Sequence, residues 1–186
     1  MKCDAYLIVK PLENISFFNQ TIVDFFTANN LTNKVRLIAY TAYQNRFNIT
    51  QAHPIITQTY SLLYKTTAEL ATQPIIADEY AKETYRSALK SLESISDIVL
   101  REARGAVSAS WKTLKLLGAL SGEIYLGKAR ISVSKGDFQG VVINAYYAIS
   151  AVEKAPNILV FISPLSLSLF TIWMVSRKGA KGKAPS

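Results

Sequence analysis

Residues 158–175, Ile-Leu-Val-Phe-Ile-Ser-Pro-Leu-Ser-Leu-Ser-Leu-Phe-Thr-Ile-Trp-Met-Val, contain no charged side chain, and Ser176-Arg177-Lys178 ends the run abruptly. As a helix at 1.5 Å per residue such a run covers about 27 Å, close to the hydrocarbon thickness of a bilayer. The pattern predicts a C-terminal transmembrane helix built on Ile158, Phe161, Leu165, Leu167, Phe170 and Trp173. Trp173 lies near one end, where an amphipathic ring favours the headgroup level, and Arg177, Lys178, Lys181 and Lys183 follow as a basic flank. Ser163, Ser166, Ser168 and Thr171 can bond back to a helix backbone, and Pro164 is better tolerated in a membrane helix than in water. The competing reading is a very apolar core helix, because the run sits at the short end of the spanning range.

The rest of the chain is long enough for an ordinary core. The whole chain has 186 residues, 49% of them apolar, so the membrane signal is local. The net charge of +8 comes from 21 basic and 13 acidic side chains, and the four cations of the tail supply half of it. What remains is too balanced for a nucleic-acid footprint, and no specific nucleic-acid partner is expected. Cys3 is the only cysteine, which rules out an internal disulfide. His53 is the only histidine, which excludes a multi-histidine metal site and leaves a Ser-His-Asp triad one candidate base. Its place before Pro54 reads as a solvated helix start. No Gly-rich phosphate loop or paired catalytic carboxylates stand out, so no cofactor, metal or catalytic residue is expected. The apolar stretch near the N-terminus is too short for a signal peptide.

Along the chain the periodicity is helical throughout. Ala5-Tyr6-Leu7-Ile8-Val9 resembles a short strand without a partner and is read as part of the first helical packing. A first helix is expected from about Ser16, through Phe17, Phe18, Ile22, Val23, Phe25 and Phe26, to a break at Asn29-Asn30. Thr32 or Asn33 then caps a second, with Val35, Leu37, Ile38, Tyr40 and Tyr43. His53-Pro54 opens a third, ending before Pro74. Asn14, Asn19, Asn30 and Asn48 each stand in an Asn-x-Ser/Thr sequon, a pattern that an Asn- and Thr-rich stretch also produces by chance.

Asp78 is placed to cap the longest helix, with Ile75 and Ile76 as a staple before it. Tyr85, Leu92, Val99 and Ala106 recur every seven residues, with Ala88, Leu89 and Ile95 between them, and the pattern runs past Gly105 towards residue 118. Gly118 and Gly122 are read as a turn, followed by a helix from Glu123 to Ser134 that buries Leu126, Ala129 and Val133. Gly136 and Asp137 are read as the turn of a helical hairpin, Gly136 taking the left-handed position and Asp137 capping a helix that buries Phe138, Val142, Ala145, Ile149 and Val152. Ala145 and Ala148 let the two helices approach closely, with Tyr146 and Tyr147 between them.

The segment Ser134–Ile149, Ser-Lys-Gly-Asp-Phe-Gln-Gly-Val-Val-Ile-Asn-Ala-Tyr-Tyr-Ala-Ile, resembles the helical HEPN family of prokaryotes, in which a Gly-Asp-Tyr turn leads into a helix with Ala-Tyr-Tyr-Ala. Gly136, Asp137, Phe138, Val141, Ala145, Tyr146, Tyr147 and Ala148 carry the match, which covers residues 129–154 only; tetratricopeptide hairpins share parts of it. HEPN ribonucleases carry an arginine just before this element and a histidine shortly after it. Asn144 and Ala151 stand there instead, so the resemblance implies a relative without the groups that cleave RNA.

The expected fold class is therefore all-α: a helical bundle with a long central helix and a C-terminal transmembrane helix. Residues 1–74 form an N-terminal helical region, 75–155 a bundle and hairpin, 156–176 the anchor and 177–186 a basic tail. The expected role is that of a non-enzymatic, single-pass membrane protein whose partners are the lipid bilayer and either another protein or a second copy of itself. Alternatives are a structural subunit of a membrane-containing virion or large membrane complex, and a HEPN-like ribonuclease relative. On topology, the basic tail favours a cytoplasmic C-terminus, whereas the lack of a signal peptide favours a cytoplasmic body.

Overall fold

A computed structural model describes residues 13–113, 115–157, 168, 171 and 172. The architecture is all-α: α1 (Glu13–Gln44), a 3₁₀ turn (Thr50–Ala52), α2 (His53–Glu69), α3 (Pro74–Lys112), α4 (Leu116–Ser134) and α5 (Phe138–Lys154). The chain divides into two compact units, up to Val99 and from Leu100 onwards. Residue 74, the end of the expected N-terminal region, is the first residue of α3.

In the first unit, the expected pair of helices before residue 50 is one continuous helix. Asn29-Asn30 does not interrupt α1, and neither Thr32 nor Asn33 is a cap. Thr32 Oγ1 instead donates to the Ala28 carbonyl at 2.8 Å, and Thr21, Thr27 and Thr41 make the same back-bond one turn upstream. Each hydroxyl is satisfied within the helix, so it does not compete with the backbone ladder. Burial supplies the rest of the cause. Thr21, Ala28, Val35 and Ala42, seven residues apart, are all completely buried. α1 packs on α2, and burial of that stripe outweighs the weak helix propensity of two asparagines. At its end, Arg46 takes φ 64°, while Phe47 N–H donates back to Ala42 O and Arg46 N–H to Tyr43 O. This is a Schellman stop with an arginine where glycine is usual.

α2 and α3 meet through hydroxyl groups. Thr59 Oγ1 donates to Ile55 O and lies 2.8 Å from Ser87 Oγ and 3.1 Å from Ser91 Oγ, and Thr66 faces Thr84. All five side chains are buried. α3 starts at Pro74, which places Ile75 and Ile76 inside the helix and exposed rather than as a staple. Asp78 is accordingly not a cap; it is a buried acid one turn into the helix whose Oδ2 accepts from Lys82 Nζ at 2.7 Å. Leu92, Ile95 and Val99 fill the core, but Tyr85, expected to join them, is 40% exposed. Ser87 and Ser91 lie where the packing stripe actually runs.

In the second unit α3 passes through Gly105 unbroken and stops at Lys112. Trp111 is half-exposed at that end, and Leu117 belongs to the next helix. Gly118 and Gly122 are not a turn: both lie inside α4, facing α5. Val133, expected in the core, is exposed.

Candidate functional site

The α4–α5 hairpin is the most tightly packed arrangement in the second unit, and glycine makes it possible. A methyl group at Gly118 would lie 2.6 Å from Ala155 Cβ, 3.0 Å from Ala151 O and 3.1 Å from Val152 Cα. At Gly122 it would meet Val107 Cγ2 at 2.6 Å and Ala148 O at 3.4 Å. The helices therefore approach backbone to backbone, with Ala119, Ala129, Ala145 and Ala148 completely buried. Lys115 Nζ reaches the Val152 carbonyl at 3.4 Å, a cation at the C-terminal end of α5.

Gly136 takes φ 67°, with Asp137 N–H donating to Ser132 O and Gly136 N–H to Val133 O. Asp137 Oδ1 accepts from Gly140 N–H at 2.9 Å and caps α5. A side chain at Gly140 would collide with the Asp137 carboxylate and with Ser132 Oγ. Tyr146 and Tyr147 do not lie between the helices: both are exposed, and Ala145 and Ala148 make the contact. The Tyr147 ring instead meets Tyr125 of α4 at the rim, 5.5 Å between centroids, with Lys128 Nζ 5.0 Å from the Tyr125 ring. Asn144 Nδ2 donates to Gly140 O at 2.8 Å, tying that amide to its own helix.

Among the described residues nothing gives the opposite side of α4 such cover. Leu117 is 68% exposed, Leu120 54%, Ile124 63% and Ile131 55%. With Gly127 in the gap, where an added methyl would meet nothing within 4 Å, these residues recur at spacings of three and four. A helix that is apolar on two opposite faces needs cover on both. This stripe escapes a sequence reading that takes Gly118 and Gly122 as a turn, because the turn cuts it in two. Its signal was the alternation of three and four running through both glycines.

Among the described residues of the first unit lie two open grooves. One, about 440 Å³, is lined by Asp24, Thr27, Ala81, Lys82, Tyr85 and Arg86. The hydrogen bond and charge of Asp78 raise the pKa of Lys82, Asp24 adds to this, and Arg86 and desolvation oppose it. A lysine held more firmly as ammonium is the reverse of a lysine tuned as base or nucleophile. The other groove, about 500 Å³, surrounds the loop after α1 and includes Arg46, Asn48 and His53. His53 is exposed at the first turn of α2. Asn48 Oδ1 accepts from both the backbone N–H and Oγ1 of Thr50 within its own turn. Asn19 and Asn30 lie on the helical surface of α1.

The expected anchor residues Ile158, Phe161, Leu165, Leu167, Phe170 and Trp173, and the flank Arg177, Lys178, Lys181 and Lys183, lie outside the described residues, as do residues 5–9. Among the described residues no helix is long and apolar enough to cross a membrane, and no group of three His, Cys, Asp or Glu side chains is placed to hold a metal ion. Comparison with family models, curated proteins and solved structures finds no match to this chain.

Proposed function

We propose that this is a membrane-anchored helical protein that acts by binding or assembly and carries out no catalysis. The outer face of α4 carries the reading: four large aliphatic side chains, each more than half exposed, aligned along one side of a helix whose other side is packed. Contiguous exposed apolar surface of this kind marks an interaction site. α1 adds Val23, Phe26, Leu37 and Tyr40, also more than half exposed. The anchor is carried by the uncharged run 158–175, which follows directly on the hairpin. Against the ribonuclease alternative stand Asn144, whose amide is engaged with Gly140, and the absence of a histidine at Ala151.

Membrane fractionation tests the anchor. Leu167→Arg, near the middle of the run, is expected to cost about 2.5–3.5 kcal/mol on insertion and to move the protein from the membrane pellet to the supernatant. Pelleting equal to the native chain, both for Leu167→Arg and for a chain ended at Pro156, sinks the anchor. Incubation with labelled RNA tests the chemistry. No cleavage is expected, and cleavage abolished by His53→Ala makes the protein an enzyme.

A further inference from the structure

We infer that the outer face of α4 pairs with the same face of a second copy of this chain, the two helices running antiparallel about a twofold axis. The inference deepens the assembly reading above and rests on it for the exposed stripe, but not on the membrane anchor.

The register follows from the sequence of the stripe. Leu117, Leu120, Ile124, Gly127, Ile131 and Ser134 occupy successive a and d positions of a heptad, all of them on the side of α4 away from α5. Antiparallel pairing sets a against d, giving layers of Leu117 with Ser134, Leu120 with Ile131 and Ile124 with Gly127, each formed twice. In the central layers a branched side chain meets a bare backbone, in the outer layers leucine meets serine, and between them Leu120 packs on Ile131 as an aliphatic layer. Gly127 gains a purpose in this pairing. Unlike Gly118 and Gly122 it has nothing within 4 Å of an added methyl among the described residues, although glycine weakens a helix relative to alanine.

Charge selects the same orientation. Glu123 and Arg130 occupy the two g positions flanking the stripe; both are exposed, and neither forms an ion pair among the described residues. Antiparallel helices bring g against g, so Glu123 of each copy meets Arg130 of the other, twice by symmetry. The e positions then set Ser121 against Lys128, without repulsion. A parallel pair does worse on both counts: Gly127 faces Gly127 across a hole, and although Glu123 meets Lys128, Arg130 meets Lys135. Symmetric self-pairing is also the commonest way in which one patch covers itself.

Two measurements on the full chain decide the matter, made in native membranes and then in mild detergent. In a Cys3→Ser background, the double variant Leu117→Cys/Ser134→Cys is expected to oxidise to a covalent dimer, and neither single variant is. Within one helix these positions are about 25 Å apart, too far to close on themselves. By sedimentation, Glu123→Arg or Arg130→Glu alone is expected to weaken the dimer about tenfold or more, and the combined swap to restore it to within about threefold of the native chain. Ile124→Glu abolishes the cross-link yet leaves membrane pelleting intact, whereas Leu167→Arg does the reverse, so loss of the dimer and loss of the anchor are told apart. Covalent dimer from Leu117→Cys alone means a parallel pair and overturns the proposal. So does a monomeric native chain at tens of micromolar with no cross-link in the membrane. A third overturning result is a disulfide within one chain, from Leu117→Cys to a cysteine introduced at Trp173, which means that the chain's own apolar segment covers the face.

Discussion

The contact between α2 and α3 and the contact between α4 and α5 bring helices together by different chemistry. The first is lined by Thr59, Thr66, Thr84, Ser87 and Ser91, whose hydroxyls bond to each other and to their own helices. The second is closest where Gly118 and Gly122 face the α5 backbone, and Ala145 and Ala148 are completely buried there. Hydroxyl contacts are directional and tolerate small adjustments of spacing, since each donor can turn to another acceptor. Backbone-to-backbone contact has no such freedom, because nothing in it rotates out of the way. The second interface is therefore the more brittle of the two.

Overfilling that brittle contact is the harshest test. Gly118→Val places three carbons where one already lies 2.6 Å from Ala155 Cβ, and is expected to cost about 3 kcal/mol in urea denaturation. Even Gly118→Ala, which improves helix propensity, is expected to destabilise. A melting temperature at or above that of the native chain means that α4 and α5 are further apart than described. On the hydroxyl side, Thr59→Val keeps the shape but removes the acceptor of Ser87, at a cost of about 1–2 kcal/mol. The cost should shrink in a Ser87→Ala background, and equal costs in both backgrounds mean that the hydroxyls do not cooperate.

The two helix stops sharpen the comparison further. Arg46 and Gly136 close their helices with the same pair of backbone bonds at nearly the same φ, 64° and 67°. Arg46→Gly is expected to stabilise by about 0.5–1 kcal/mol and Gly136→Arg to destabilise by a similar amount, read as shifts in denaturant midpoint. Same-sign shifts mean that side-chain contacts rather than backbone conformation decide there.

The smallest effect is alkaline and belongs to the first unit. Burial raises the Tyr60 pKa above its ordinary 10.0, against the pull of Arg36, and Asp78 raises Lys82 above 10.5. Both folded values lie above the unfolded ones, so each contribution is fully present below about pH 10 and is lost as pH rises through the folded pKa. Tyr60→Phe and Lys82→Met are each expected to flatten the fall of stability with pH above 10. An unchanged slope in both variants removes the effect.

The all-helical class, the start of α2 at His53-Pro54 and the passage of α3 through Gly105 were all legible in the residues, because proline placement and apolar periodicity are local signals. The continuity of α1 was not, since Asn29-Asn30 reads as a stop until burial of Ala28, Thr32 and Val35 outweighs it. The start of α4 was missed because glycine has two opposite uses, as a turn residue and as a place where helices touch, and only the partner helix tells them apart. Serines and threonines at core positions broke the expected apolar stripe of α3, which put Tyr85 inside instead of Ser87 and Ser91. The candidate site inherits the second of these errors: the outer face of α4 becomes continuous only once Gly118 and Gly122 are helical.

The hydroxyl-lined packing also bears on temperature. Of the twelve buried polar side chains among the described residues, nine lie at or before Val99. Unfolding that unit uncovers polar surface, which lowers the heat capacity, together with apolar surface, which raises it. The net increment per residue is then smaller than for a purely aliphatic interior, and the curve of stability against temperature is correspondingly flatter. Such a unit loses less of its stability on cooling, because less of that stability derives from a driving force that weakens in the cold.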